Sequence, residues 1–385
     1  MTKKLVLHIG DPKTGSTSIQ QVLFQRQFDC PSRAVDYPKR LTESPLVSVL
    51  KDKRKASQQP KEFGDRAEWA RASPADVIVL SSEQFSSVSS RKTLDAFNKY
   101  LPDLTPTMQV VAYVRPHVSR FVSYYVQATK VGWYFDDMES YFDNMNGKNG
   151  KNALIYSNRF QNWRDTFGDR FTLRPMIRDE MFKNDVVEDF LNLALDNAPF
   201  SVLGSTETNI ALPLETLSGL RILQKVLRNQ GANDVTRHRV GRQINALASA
   251  AGLGKGTRVK VTKALYARAL EACRQDAERL DRDFFGKSVM LKALERAADD
   301  AAEDQVGAEA QQFFDRAEAK EIRRNARALA KKLQDFPGVW GGKFQRDIGQ
   351  RPSLGSKNLL TEAKQTHIRE VEKLLADTVA LIAPQ

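Results

Sequence analysis

Lys4-Leu-Val-Leu-His-Ile-Gly-Asp-Pro-Lys-Thr-Gly-Ser-Thr-Ser18 is the segment around which the rest of the 385-residue chain is organised. Leu5 to Ile9 is a short apolar run that reads as a buried strand, and Gly10, Pro12 and Gly15 break it. Ser16, Thr17 and Ser18 supply helix-start chemistry to an amphipathic segment carrying Ile19, Val22 and Leu23. Strand, turn and helix in that order make an anion site: the first N–H groups of the helix and its positive dipole end face the turn, and glycines let the ligand approach the backbone.

Gly10 and Gly15 have the spacing of the nucleotide P-loop, GxxxxGK[ST], but Ser16 stands where its lysine belongs and Lys13 lies upstream of the second glycine. That displacement argues against an ordinary ATPase or kinase. A second segment, Gln109-Val-Val-Ala-Tyr-Val-Arg-Pro-His-Val-Ser-Arg-Phe-Val-Ser123, reads as a buried strand over Val110 to Val114. Arg115 ends this strand and Pro116 opens a helix. The spacing allows Arg115 and Ser123, two turns into the helix, to clasp one phosphate.

Pro12-Lys13-Thr14-Gly15-Ser16-Thr17 resembles the 5′-phosphosulfate loop of sulfotransferases, and Arg115 with Ser123 resembles their 3′-phosphate pair. The resemblance implies a P-loop-like fold and 3′-phosphoadenosine 5′-phosphosulfate (PAPS) as sulfuryl donor. It implies that Lys13, Thr14, Gly15, Ser16, Thr17, Arg115 and Ser123 bind the donor and that no metal is required.

Asp76-Val-Ile-Val-Leu-Ser-Ser-Glu-Gln-Phe85 reads as another strand, apolar from Val77 to Leu80. In open α/β sheets ligands bind beyond the carboxyl ends of the strands, which places Ser81, Ser82 and Glu83 at the right end of the sheet. Sulfuryl transfer to a hydroxyl needs a base, and a carboxylate whose pKa is raised by partial burial can serve. Glu83 is the candidate, and some carbohydrate sulfotransferases are similar in carrying a glutamate after a strand. His8, either a base or hydrogen-bonded inside the sheet, and His117, either a base or on the exposed side of its helix, are the rivals.

The composition is that of a globular protein, 41% hydrophobic and 28% charged. The formal net charge of +12 suits nucleic acid, an anionic membrane surface, a polyanionic acceptor or the donor itself, and does not choose among them. Cys30, Cys273 and the four histidines have no spacing for a disulfide framework or a zinc site. No apolar run approaches the length of a membrane span and the chain opens directly on a strand, so the expected location is cytoplasmic.

Residues 29 to 75, rich in proline and carrying the basic run Lys51 to Gln59, read as a long excursion with short helices. The aromatics Trp133, Tyr134 and Phe135 follow a turn at Gly132 and read as core sooner than as a binding platform. Trp163, the turn at Gly168, a strand over Arg170 to Arg178 and a helix over Val186 to Phe190 loosely resemble bacterial sulfotransferases. Asn209 is placed similarly to a residue of that group, but Ala211 stands where a serine is common, so Asn209 is given no role.

From about 213 to 335 the pattern is almost wholly helical, Gly338 to Phe344 and Pro352 to Ser356 read as a loop-rich break, and Thr361 to Leu381 as a last amphipathic helix. The expected fold is therefore a three-layer α/β core with a parallel sheet over residues 1 to 205 and a helical portion over 206 to 385. The expected function is sulfuryl transfer from PAPS to a hydroxyl or amine, with Lys13 and Glu83 catalytic and a carbohydrate, glycolipid or other hydroxyl compound as acceptor. Peripheral membrane contact fits the charge; nucleic acid is not expected as a partner. The alternatives are a P-loop kinase using ATP-Mg²⁺, and a non-catalytic basic protein that binds nucleic acid.

Overall fold

A computed structural model describes residues 3–147, 152–204, 212–253, 256–303, 312–348 and 360–383. In chain order the strands and helices begin β1 (Lys4–Gly10), α1 (Ser16–Gln25), β2 (Phe28–Asp29), β3 (Val35–Asp36), α2 (Ser44–Lys51), α3 (Gln59–Ala72), β4 (Val77–Ser81) and α4 (Ser90–Tyr100). They continue with β5 (Gln109–Val114), α5 (His117–Lys130), α6 (Met138–Met145), α7 (Ser157–Phe167), β6 (Phe171–Pro175), α8 (Val186–Ala194) and β7 (Ser201–Val202). The remainder is helical: α9 (Leu214–Asn229), α10 (Asp234–Ala250), α11 (Lys263–Leu280), α12 (Met290–Arg296), α13 (Arg316–Asp335), α14 (Val339–Asp347) and α15 (Glu362–Ile382).

The chain divides into two compact units whose segments alternate. The first comprises Met1–Arg120, Ala153–Thr208 and Ala269–Ala297, the second Phe121–Asn152, Asn209–Arg268 and Ala298–Gln385. One junction falls close to residue 205, where strand patterning stops; others fall inside α5 and α11.

The first unit is α/β. Its five-stranded sheet has the order β3-β4-β1-β5-β6 with every neighbouring pair parallel. A parallel sheet is buried on both faces, so its strands are apolar without alternation, and β1 meets this condition with Leu5, Val6, Leu7, His8 and Ile9 all fully buried. On one face Val6, Val79, Val111 and Tyr113 pack with Ile19, Val22 and Leu23 of α1 and Val187, Phe190 and Leu191 of α8. Helices α1 and α8 thus show apolar stripes at three- and four-residue spacing because that stripe covers the sheet. Asp189 of α8 ties this layer to two strands, accepting hydrogen bonds from Tyr113 Oη of β5 at 2.7 Å and Arg174 Nη2 of β6 at 2.6 Å.

The order places β1 between β4 and β5, and all the carboxyl ends lie at one edge. The chain leaves β1 toward β4 and leaves β5 toward β6, so the crevice above β1 and β5 is a topological switch point, where open α/β sheets bind ligands.

The second unit is helical. Leu220, Leu223 and Leu227 of α9, Val240 and Ile244 of α10, Ile322 and Leu329 of α13 and Val371 and Leu375 of α15 make one core. Gly338 to Phe344 is not the expected loop-rich break. Val339–Asp347 forms α14, because Trp340 and Phe344, one turn apart, are buried in that core and the packing outweighs the poor helix propensity of the glycine pair. Asn209, Ala211 and the segment Pro352 to Ser356 lie outside the described residues.

Candidate functional site

The loop between β1 and α1 is held from below by buried polar contacts. Asp11, fully buried, accepts from Arg120 Nε at 3.0 Å and Arg159 Nη2 at 2.9 Å through Oδ2, and from Ser86 Oγ at 3.3 Å through Oδ1. Its backbone N–H donates to Tyr113 O of β5 at 2.9 Å, and its own carbonyl accepts from Thr14 Oγ1 and, at 3.5 Å, from Ser16 Oγ. Hydroxyls that could have capped α1 are therefore turned back into the loop.

Both glycines are required. Gly10 has φ +78, and a Cβ there would lie 2.6 Å from Glu83 Cα, so the loop presses against the turn that carries Glu83. Gly15 has φ +77, and a Cβ there would lie 2.6 Å from Val186 Cγ1 of α8. Both need the left-handed backbone region and neither has room for a side chain. Lys13 also has a positive φ, 68. Gly15 is the N-cap of α1, which has no side-chain cap and no acid in its first turn. A helix start that no side chain caps is one where an anion can take the place of the cap.

Three of the charged candidates meet at this loop. Arg115, directly after β5, donates from Nη1 to Lys13 O at 3.3 Å and from Nε to Ser119 Oγ at 3.2 Å, and Tyr156 Oη donates to Arg115 O at 2.6 Å. Burial, then the neighbouring Arg115, lowers the Lys13 ammonium pKa below the ordinary lysine value, and Glu83 opposes that fall. Burial likewise lowers Arg115. Half-buried Glu83 accepts from Gln20 Nε2 of α1 at 3.3 Å, so α1 orients it. Thr17 is exposed at the start of α1. Ser123 lies half-buried on α5, in the part of the helix that belongs to the second unit; the serine that Arg115 engages is Ser119.

The rival histidines are enclosed. His8 is fully buried, hydrogen-bonded through Nδ1 to Ser81 Oγ at 2.8 Å, and burial drives its pKa down to about 3. His117 does not sit on the exposed side of its helix. It is 2% exposed and stacked on Tyr156, and its Nε2–H donates to Asp276 Oδ2 at 2.9 Å. Burial raises the Asp276 pKa, but hydrogen bonds from His117 and Ser157 outweigh it and hold that carboxyl below the usual range. The partner that turns His117 inward is 159 residues away, beyond the reach of any local pattern.

Spacing also missed the Asp11, Arg120 and Arg159 cluster, whose arginines lie 109 and 148 residues from the carboxylate. The signal that could have flagged it is an acid directly after an apolar strand, which needs counter-charges once buried. Glu43 is a second missed carboxyl. It is fully buried beside the end of β4, receives Arg66 Nε at 2.9 Å, and has its pKa raised by burial.

Among the described residues no group of three or more His, Cys, Asp or Glu is placed to hold a metal, and no helix is long and apolar enough to cross a membrane. No family model, curated protein or solved structure matches the chain.

Proposed function

We propose that the chain is a group-transfer enzyme acting on a doubly anionic nucleotide and, within that class, a sulfotransferase of three-layer, P-loop-like fold that uses PAPS as donor. The observation that carries this reading is the meeting of Lys13, Arg115 and Glu83 at the uncapped start of α1, at the switch point of a parallel sheet. Two cations and open N–H groups suit phosphate and sulfate oxygens, and a carboxylate beside them suits a proton acceptor.

In the proposed reaction Glu83 takes the proton of the acceptor hydroxyl or amine as that atom bonds to sulfur and the bond from sulfur to the bridging phosphate oxygen breaks. Lys13 and the N–H groups of Thr14, Gly15, Ser16 and Thr17 stabilise the charge that the electron pair brings to the departing 5′-phosphate. Arg115 and, by the resemblance, Ser123 hold the 3′-phosphate. The products are the sulfated acceptor and adenosine 3′,5′-bisphosphate. Both histidines are enclosed and Glu83 is not, which favours Glu83 as base.

Calorimetric titration with adenosine 3′,5′-bisphosphate, beside ATP-Mg²⁺, tests this reading on the wild type and on Arg115→Ala. Metal-independent binding of the bisphosphate, weakened by the substitution, is expected. Binding of ATP-Mg²⁺ alone would move the chain to the kinases, and binding of neither would reduce the loop to a structural turn.

A further inference from the structure

Arg115 stands between the end of β5 and the start of α5, outside both elements. A residue that no helix or strand ladder holds depends on tertiary hydrogen bonds for its place. Its carbonyl receives one from Tyr156 Oη at 2.6 Å. Tyr156 is 2% exposed, and burial, opposed by Arg120, raises its pKa well above the ordinary tyrosine value. The hydroxyl therefore stays protonated and donates.

Tyr156 is itself fixed through ring and backbone. Its ring stacks on His117 with centroids 4.5 Å apart and planes 22° apart, and the Arg120 guanidinium lies over it at 4.7 Å. Both neighbours come from the first turn of α5. The Tyr156 N–H donates to Asp276 Oδ2 at 3.2 Å, the oxygen that also receives His117 Nε2–H, and Ser157 N–H donates to Asp276 Oδ1 at 3.1 Å. Tyr156 precedes α7 without capping it through its own side chain, so a buried carboxylate of α11 takes the place of that cap and ties it to α5. Arg120 holds the same stretch by donating from Nη1 to Ala153 O at 2.7 Å, and braces the β1–α1 loop by donating from Nε to Asp11 Oδ2. One ring thus touches both the residue that follows β5 and the arginine that supports the loop. All of these residues belong to the first unit.

We infer that Tyr156 is a positioning residue that holds Arg115 in place against the β1–α1 loop. A charged side chain selects its ligand only when its own place is locked by the residues behind it. Arg115 reaches Lys13 O from Nη1 at 3.3 Å, so a shift of its backbone carries the guanidinium away from the loop. That the group Arg115 serves is a 3′-phosphate rests on the sulfotransferase reading; the hold on Arg115 rests on the hydrogen bond and the stacked ring.

The test compares the full wild-type chain with Tyr156→Phe, which deletes the hydroxyl and keeps the ring. Calorimetry with adenosine 3′,5′-bisphosphate and with adenosine 5′-monophosphate reads selectivity, which a merely structural role would not move. The variant is expected to bind the bisphosphate about tenfold more weakly and the monophosphate about twofold more weakly or less, since a misplaced charge costs most to the group it should meet. In the free protein, ¹⁵N relaxation should give the Arg115 side-chain Nε a lower order parameter in the variant. Equal losses for the two nucleotides, or an unchanged order parameter, would each overturn the inference. Should the variant not fold, the wild type decides: the Tyr156 hydroxyl is expected to exchange slowly with solvent, read from the deuterium isotope shift of its Cζ carbon, and fast exchange would overturn the assignment. If the wild type does not favour the bisphosphate, yet Arg115 loosens in the variant, the donor reading fails and the hold of Tyr156 on Arg115 stands.

Discussion

The first turns of α1 and α13 solve the same problem in opposite ways. At α13, Asp315 Oδ1 accepts from Glu318 N and Glu318 Oε2 accepts from Asp315 N, each at 2.8 Å, a reciprocal capping box that closes the helix with its own side chains. At α1, the cap is a glycine with φ 77 that makes no side-chain cap hydrogen bond, and Thr14 and Ser16 spend their hydroxyls on Asp11 O. A cap of the first kind contributes about 1 kcal/mol. α1 forgoes that stability and leaves its start without a side-chain cap, which is the arrangement expected where a helix start is kept for a ligand.

The largest effect that separates the two starts is on rate. Lys13→Ala removes a preorganised donor and should lower sulfuryl transfer by about 10²–10³ while the melting temperature stays near that of the wild type. Steady-state kinetics beside thermal unfolding check this, and a large loss of stability would make Lys13 a structural residue instead.

Beneath the loop, the sheet carries a pH dependence of its own. His8 binds a proton in the unfolded chain near the ordinary value of 6.5, but burial keeps the folded chain from binding it until about 3. In that window the unfolded state holds the extra proton, so stability falls as pH is lowered through it, by about 1.4 kcal/mol for each pH unit. The contribution is fully present above the unfolded value. Urea midpoints followed from neutral to acid pH should show this slope, and His8→Asn should flatten it.

Asp315→Ala opens the box on α13 and should cost about 1 kcal/mol in urea unfolding without changing bisphosphate affinity. The smallest effect is the most discriminating. Thr17→Asp puts a carboxylate into the bare first turn of α1, where an acid is worth about 0.3–1 kcal/mol. It should stabilise the chain and weaken bisphosphate binding, trading one use of the helix start for the other.

The strand, loop and start of α1 were legible because a buried parallel strand is a continuous apolar run and the glycines mark a backbone that side chains cannot adopt. The same logic found β4, β5, β6 and most of the late helices. The two-residue strands β2, β3 and β7 were not legible, since nothing two residues long carries a period. α14 was hidden by its glycines, whose local preference is overridden by Trp340 and Phe344 in the core. Around the site, Lys13, Arg115 and Glu83 could be read because each lies within three residues of the end of a strand of the sheet. Asp11 with its two arginines, and His117 with Asp276, are made by chain segments more than a hundred residues apart, and no spacing rule reaches across that distance.

Hydrogen exchange of individual backbone amides, with and without adenosine 3′,5′-bisphosphate, is the most direct test of the contrast between the two helix starts. Slowed exchange at Thr14 to Thr17, with the amides of Arg316 to Glu318 unchanged, is the predicted result. Binding of the bisphosphate that leaves Thr14 to Thr17 exchanging as before would contradict the assignment of the bare start of α1 as the phosphate site.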